Sequence, residues 1–90
     1  DVRVVLVDAI NSLGQAGLGD SVMEMLYNWA SDQNPNGWVI SRVLSASWSA
    51  AYPAQTRVIL GELSSKNGME SQVKSAVEAL SRHGVEINLL

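Results

Sequence analysis

The sequence predicts an α+β sandwich in which a four-stranded antiparallel sheet carries two helices on one face, in the order βαββαβ. The last third of the chain supplies the first observation. It contains an apolar β-type run at Arg57–Ser65, an amphipathic segment at Met69–His83, and an alternating segment at Val85–Leu90 that follows Gly84. The first half of the chain supplies the second observation, because it repeats the order of strand, helix and strand. Two related halves of this kind predict one sheet with one helical layer.

The first strand is predicted at Val2–Ile10, because this segment is dense in β-branched residues, which suit a pleated surface. Its two faces are both apolar, which is typical of a central strand. The second strand is predicted at Trp38–Trp48, although Arg42 interrupts its apolar face and the same segment also fits a helix. An all-α fold of five short helices therefore remains an alternative, with helices at 38–51 and 54–66.

The first helix is predicted at Val22–Ser31. Ser21 and Glu24 have the spacing of a capping box, in which both side chains satisfy amides of the first helical turn. Met23 and Tyr27 widen the apolar surface of this helix beyond one stripe. A helix that is apolar on most sides is either deeply buried or in contact with a partner.

The second helix is predicted at Met69–His83, where apolar residues recur with helical spacing. Glu70 and Lys74 form one of two acid–base pairs four residues apart, in the favourable order. Gly84 is predicted to end this helix, since glycine is the residue that most often follows a helical C-terminus.

The composition bounds the function. Ninety residues form one domain, residues 1–90, and the net charge of −3 comes with six basic residues that are dispersed along the chain. Nucleic-acid binding is therefore disfavoured, because it requires a basic patch. The chain has no cysteine, which excludes disulfides and thiolate chemistry, and no apolar run long enough to span a membrane. Because it begins at Asp1, we expect a piece of a longer protein, and no residue indicates its cellular compartment.

The predicted strand order resembles the ferredoxin-like superfold, in which the first and third strands are central. This sequence lacks the motifs of two families of this superfold. Arg57–Ser65 has no exposed aromatic residue of the kind that RNA-recognition motifs carry on their third strand, and Asn11–Asp20 lacks the arginine that acylphosphatases have in their first loop. Asp8 and the turn at Gly14–Gly19 lie between the first strand and the first helix. They resemble the corresponding segment of amino-acid-binding ACT domains, which carry an acidic residue and a glycine-bearing turn there.

This similarity implies a candidate small-molecule site near residues 8–21. Backbone amides of a glycine-rich connector, with a helix N-terminus behind it, suit an anionic ligand. The candidate ligand-binding residues are Asp8, Asn11, Gly14, Gly17, Gly19 and Ser21.

The second group of candidates forms an interface with another protein. Outward-facing valines of the sheet would leave an apolar face open, and Trp and Tyr are favoured interface anchors. The candidate interface residues are Val5, Val7, Met23, Tyr27, Trp38, Trp48 and Tyr52.

The sequence thus favours a non-enzymatic interaction module that oligomerises or docks a protein partner through an apolar sheet face or an edge strand. The alternative is a small-molecule-sensing regulatory domain of the ACT kind. We expect no catalytic residues, no metal site and no cofactor, because no nucleophile–base pair or ligand cluster is visible.

Overall fold

A computed structural model describes residues 1–89, and in this part of the chain every regular element is helical. Five α-helices are joined by short connections: α1 (Val2–Leu13), α2 (Gly19–Ala30), α3 (Gly37–Leu44), α4 (Pro53–Ser64) and α5 (Glu70–Arg82). A π-helical turn at Gly14–Leu18 joins α1 to α2, and a 3₁₀ turn at Ser47–Ala51 precedes α4. The predicted βαββαβ sandwich is wrong, and the all-α alternative describes the chain.

The predicted first strand is helix α1. Asp1 caps it, because its carboxylate accepts a hydrogen bond of 2.9 Å from the backbone amide of Arg3. Val7 and Ile10 are its buried residues, three positions apart, and this is a helical spacing. The run of valines misled the prediction because β-propensity is a weak preference that packing overrides.

The second and third predicted strands are also helical. Asn36 caps α3 through a 3.3 Å hydrogen bond from the amide of Val39 to its side-chain oxygen. Pro53 starts α4, where its fixed φ and missing N–H are tolerated in the first turn. Within α4 the buried residues Ile59, Leu60 and Leu63 follow helical rather than alternating spacing. In both segments the spacing of the apolar residues fits a helix as well as a strand. The tertiary contacts decide in favour of the helix.

Both predicted helices are confirmed, as α2 and α5. Helix α2 begins at Gly19, before the predicted capping box, and Leu18 stands at its N-cap position without a side-chain hydrogen bond. Helix α5 ends as predicted. Gly84 adopts a φ of 84°, its amide bonds to the carbonyl of Ser81, and the amide of Val85 bonds to that of Leu80, which is the Schellman arrangement.

The fourth predicted strand, Val85–Leu90, is not a strand over residues 85–89, and Leu90 lies outside the described residues. Instead the segment leaves α5 and packs Val85 and Ile87 against the helical core.

One core is shared by all five helices. Helix α3 contacts α1, α2 and α5, while α4 packs on α2 and α5. The short helix α3 is largely enclosed by the others, since its residues Val39, Ile40, Val43 and Leu44 are all fully buried. The other fully buried large aliphatic side chains are Leu26, Ile59, Leu60, Leu63 and Leu80.

The hydroxyl of Thr56 is buried and has no hydrogen-bond partner among residues 1–89. Burying such a group costs free energy because it gives up water without compensation. We expect Thr56→Val to raise the free energy of unfolding by about 1 kcal/mol, measured by urea denaturation.

Ser49 is the matched control for Thr56. Its buried hydroxyl lies 2.6 Å from the carbonyl oxygen of Leu44 and 2.8 Å from that of Ala46, so it is well satisfied. Ser49→Ala is expected to lower stability by about 1 kcal/mol. A loss of stability in Thr56→Val equal to that in Ser49→Ala would show that the threonine hydroxyl has a partner.

Candidate functional site

The glycine-rich segment is a packed helical turn rather than an open loop. The side-chain oxygen of Asn11 accepts a 2.8 Å hydrogen bond from the indole N–H of Trp48. Gly14 lies against the ring of Trp48, and Gly19 lies against the ring of Tyr52, with no room for a methyl group at either position. Asn11, Gly14 and Gly19, three of the candidate ligand residues, therefore pack the π turn against Trp48 and Tyr52.

The remaining ligand candidates, Asp8, Gly17 and Ser21, are exposed. Gly17 has a φ of 94°, a conformation that favours glycine, and gives the π turn its kink. The structure therefore distributes the six candidates over α1, the kinked turn and the start of α2, three of them packed and three exposed. A ligand role for residues 8–21 stays a prediction.

The interface candidates divide into buried and exposed residues. Val7 and Met23 are buried, while the side chains of Trp48 and Tyr52 are half-buried and meet edge to face with ring centroids 5.9 Å apart. Among the seven interface candidates, only Val5, at 67% exposure, and Tyr27, at 39%, present a largely exposed apolar side chain to solvent.

Trp38 is half-buried beneath two arginines. The guanidinium carbons of Arg3 and Arg42 each lie 4.6 Å from the centroid of its ring, within the range of cation–π attraction. Arg3 also forms a 3.2 Å ion pair with Asp1. Trp38 thus ties α1 to α3 instead of presenting a free apolar surface.

The first exposed apolar surface is a face of α1. On a helix with 3.6 residues per turn its residues fall within an arc of roughly 100°, which adjoins the side that carries the buried Val7 and Ile10. We call it the α1 outer face; it consists of Val2, Val5, Leu6, Ala9 and Leu13, all of them exposed.

Four of these residues, Val2, Leu6, Ala9 and Leu13, are spaced by four, three and four positions. This is the spacing of the seam along which two helices pack in a coiled coil. Val4 is also apolar and 47% exposed, but its position lies outside the arc. The α1 outer face carries no charged side chain.

The second exposed apolar surface is a groove between α2 and α4, which we call the α2–α4 groove. It has a volume of about 480 Å³. Its lining residues are Asp20, Met23, Glu24, Tyr27, Ala54, Gln55, Val58 and Ile59. Met23 and Ile59 are buried, while Tyr27 and Val58 stand at its sides with 39% and 54% exposure.

Residues 1–89 contain no group of three or more His, Asp or Glu side chains that could hold a metal ion. The Nε2 atom of His83 lies 3.2 Å from the backbone carbonyl oxygen of Ser45, a contact that ties the end of α5 to the end of α3.

No family model, no curated protein and no solved structure matches this chain. Within residues 1–89, none of the helices is both long and apolar enough to cross a membrane.

Sequence reasoning missed both surfaces as surfaces of helices. The α1 outer face has a signal in the sequence, the four-three-four spacing, but the strand prediction assigned Val5 and Leu6 to opposite faces of a sheet. The α4 side of the groove has no such signal. Ala54, Gln55 and Val58 share one side of any helix, but only the packing of α4 on α2 decides that this side borders the groove.

Proposed function

We propose that this protein is a non-enzymatic assembly module that pairs with a second copy of itself through the α1 outer face. The supporting observation is the uncharged four-three-four seam on a helix whose neighbouring face, with Val7 and Ile10, already packs in the core. A helix needs only one apolar face to join its own domain, so a second apolar face favours a second contact.

The seam suits a symmetric pair because its spacing is the same in both directions along the chain. In an antiparallel pair, Leu6 of one copy lies against Ala9 of the other, and Val2 lies against Leu13. Large residues then face small or medium ones, which lets the two helices approach closely. A twofold arrangement of this kind closes on itself and gives a dimer rather than a filament.

The absence of charge on the α1 outer face favours a second copy over an unrelated partner, since the face offers nothing to complement except its own shape and apolarity. Standard protein interfaces bury about 800 Å² on each partner. One face of a 12-residue helix provides less than that. The dimer is therefore expected to be weak, forming in the micromolar range or above.

We expect the double variant Leu6→Gln/Leu13→Gln to remain monomeric at concentrations where the unchanged protein dimerises, because it places two polar amides in the seam. Both side chains are already exposed, and glutamine has a helix propensity similar to that of leucine, so the fold is preserved. Sedimentation velocity over a concentration series measures the shift, and far-UV circular dichroism checks the fold.

The matched control is Val4→Gln/Val58→Gln, which replaces two exposed valines outside the α1 outer face. It is expected to dimerise as the unchanged protein does. A protein that is monomeric at millimolar concentration, or a control that loses the dimer equally, would rule out pairing through this face.

A further inference from the structure

We propose that the α2–α4 groove binds an amphipathic helix of a different protein, one whose apolar face is bordered by lysine or arginine. The groove shares no residue with the α1 outer face, so this binding is independent of self-pairing. A single protein could then pair through α1 and hold its partner between α2 and α4.

The floor and sides of the groove suit an apolar helix face. Met23 and Ile59 form a buried base, and the exposed side chains of Tyr27 and Val58 stand on opposite helices. Methionine adapts to different apolar shapes, and tyrosine is a common interface anchor. Between Asp20 and Tyr27 the α2 side extends about 10 Å, which corresponds to two turns of a bound helix. Two turns present three or four apolar residues, enough to fill a groove of this size.

The charge around the groove defines the partner. Asp20 and Glu24 lie one helical turn apart on the α2 side, and neither forms an ion pair with any of the residues 1–89. Like charges four positions apart on a helix repel each other. Asp20 also stabilises the first turn of α2 through the helix dipole, but Glu24 lies beyond that turn. A cationic partner would relieve this repulsion.

The α4 side of the groove supplies Ala54, Gln55 and Val58, none of which is charged. The partner therefore needs its basic residues along one border of its apolar face, next to α2, and four positions apart to match Asp20 and Glu24. Helix α1 of a second copy does not meet this requirement, since its outer face carries no cation.

The test uses two synthetic amphipathic peptides with leucines on one face and either lysines or glutamates along its border. Titration into the ¹⁵N-labelled protein is followed by NMR. We expect the lysine peptide to shift the backbone amides of α2 and α4 around the groove in a saturable manner. The glutamate peptide is expected to bind at least tenfold more weakly.

The decisive variant is Asp20→Asn/Glu24→Gln, expected to weaken binding of the lysine peptide by roughly tenfold, as the loss of two exposed ion pairs implies. Its control, Glu70→Gln/Glu78→Gln, makes the same change of charge on α5. The two double variants are also matched in the position of the substituted acids, because Glu70, like Asp20, lies in the first turn of its helix. The control is expected to weaken binding by less than twofold.

Three results would overturn the proposal: no saturable binding of the lysine peptide, equal binding of both peptides, or an equal loss of binding in the two double variants. Amide shifts confined to α1 would also overturn it, since they would place the peptide on the α1 outer face. Because self-pairing is measured without peptide, its failure is distinguishable from the failure of groove binding.

Discussion

Gly14→Ala is expected to lower the free energy of unfolding by about 3 kcal/mol, as overpacking of a filled site does. The backbone of Gly14 has helical dihedral angles that alanine also adopts, with φ −61° and ψ −41°. The cost comes from contact alone. A methyl group there would lie 2.7 Å from Cζ2 of Trp48 and closer still to two other ring atoms. The ring cannot retreat freely, because its N–H is hydrogen-bonded to Asn11.

Gly61→Ala is the control for Gly14→Ala. Gly61 lies inside α4, and a methyl group there would meet no atom within 4 Å. It is expected to raise stability by about 0.5–1 kcal/mol, since alanine favours a helix more than glycine does. Guanidinium denaturation measures both variants. A stable Gly14→Ala protein would mean that the π turn does not rest on Trp48.

Leu60→Ala is expected to lower the free energy of unfolding by about 2–5 kcal/mol, the usual cost of emptying a fully buried leucine site. Its side chain is fully buried in the helical core. Val58→Ala, two positions earlier, is expected to change stability by less than about 0.5 kcal/mol because Val58 is 54% exposed at the side of the groove.

This pair of variants distinguishes the helix from the strand. In a strand at Arg57–Ser65, Val58 and Leu60 would share one face, so their substitution to alanine would have similar consequences. In helix α4 they are separated by about 200° around the axis and have opposite environments. Equal losses of stability in thermal or urea denaturation would contradict the helical assignment.

Helix α5 shows what the sequence alone specified. Its apolar residues repeat with one period, its charged residues are exposed without forming the predicted ion pairs, and Gly84 ends it through a local Schellman arrangement. All of these depend on residues within a few positions of one another. The same holds for α2, whose helical nature was predicted although its first turn was not.

The strands predicted at 2–10, 38–48 and 57–65 failed for one physical reason. Short segments rich in valine, isoleucine and leucine fit both a period of two and a period of 3.6. Local preferences of a few tenths of a kcal/mol then compete with burial worth several kcal/mol. In α1 the burial of Val7 and Ile10 and the contact of Gly14 with Trp48 decide the helix, and these involve residues far apart in the sequence.

The candidate sites followed the same division. From the sequence, Val5 and Tyr27 were predicted as interface residues, and the structure exposes both, but it buries Val7 and Met23 and packs Trp48 on the glycine turn. The sequence by itself determined the acidic charge, the helices α2 and α5 and the glycine that ends the second of them. Only the tertiary structure decided the all-α fold and which apolar residues remain outside the core, because exposure depends on the packing of distant helices and not on the local pattern.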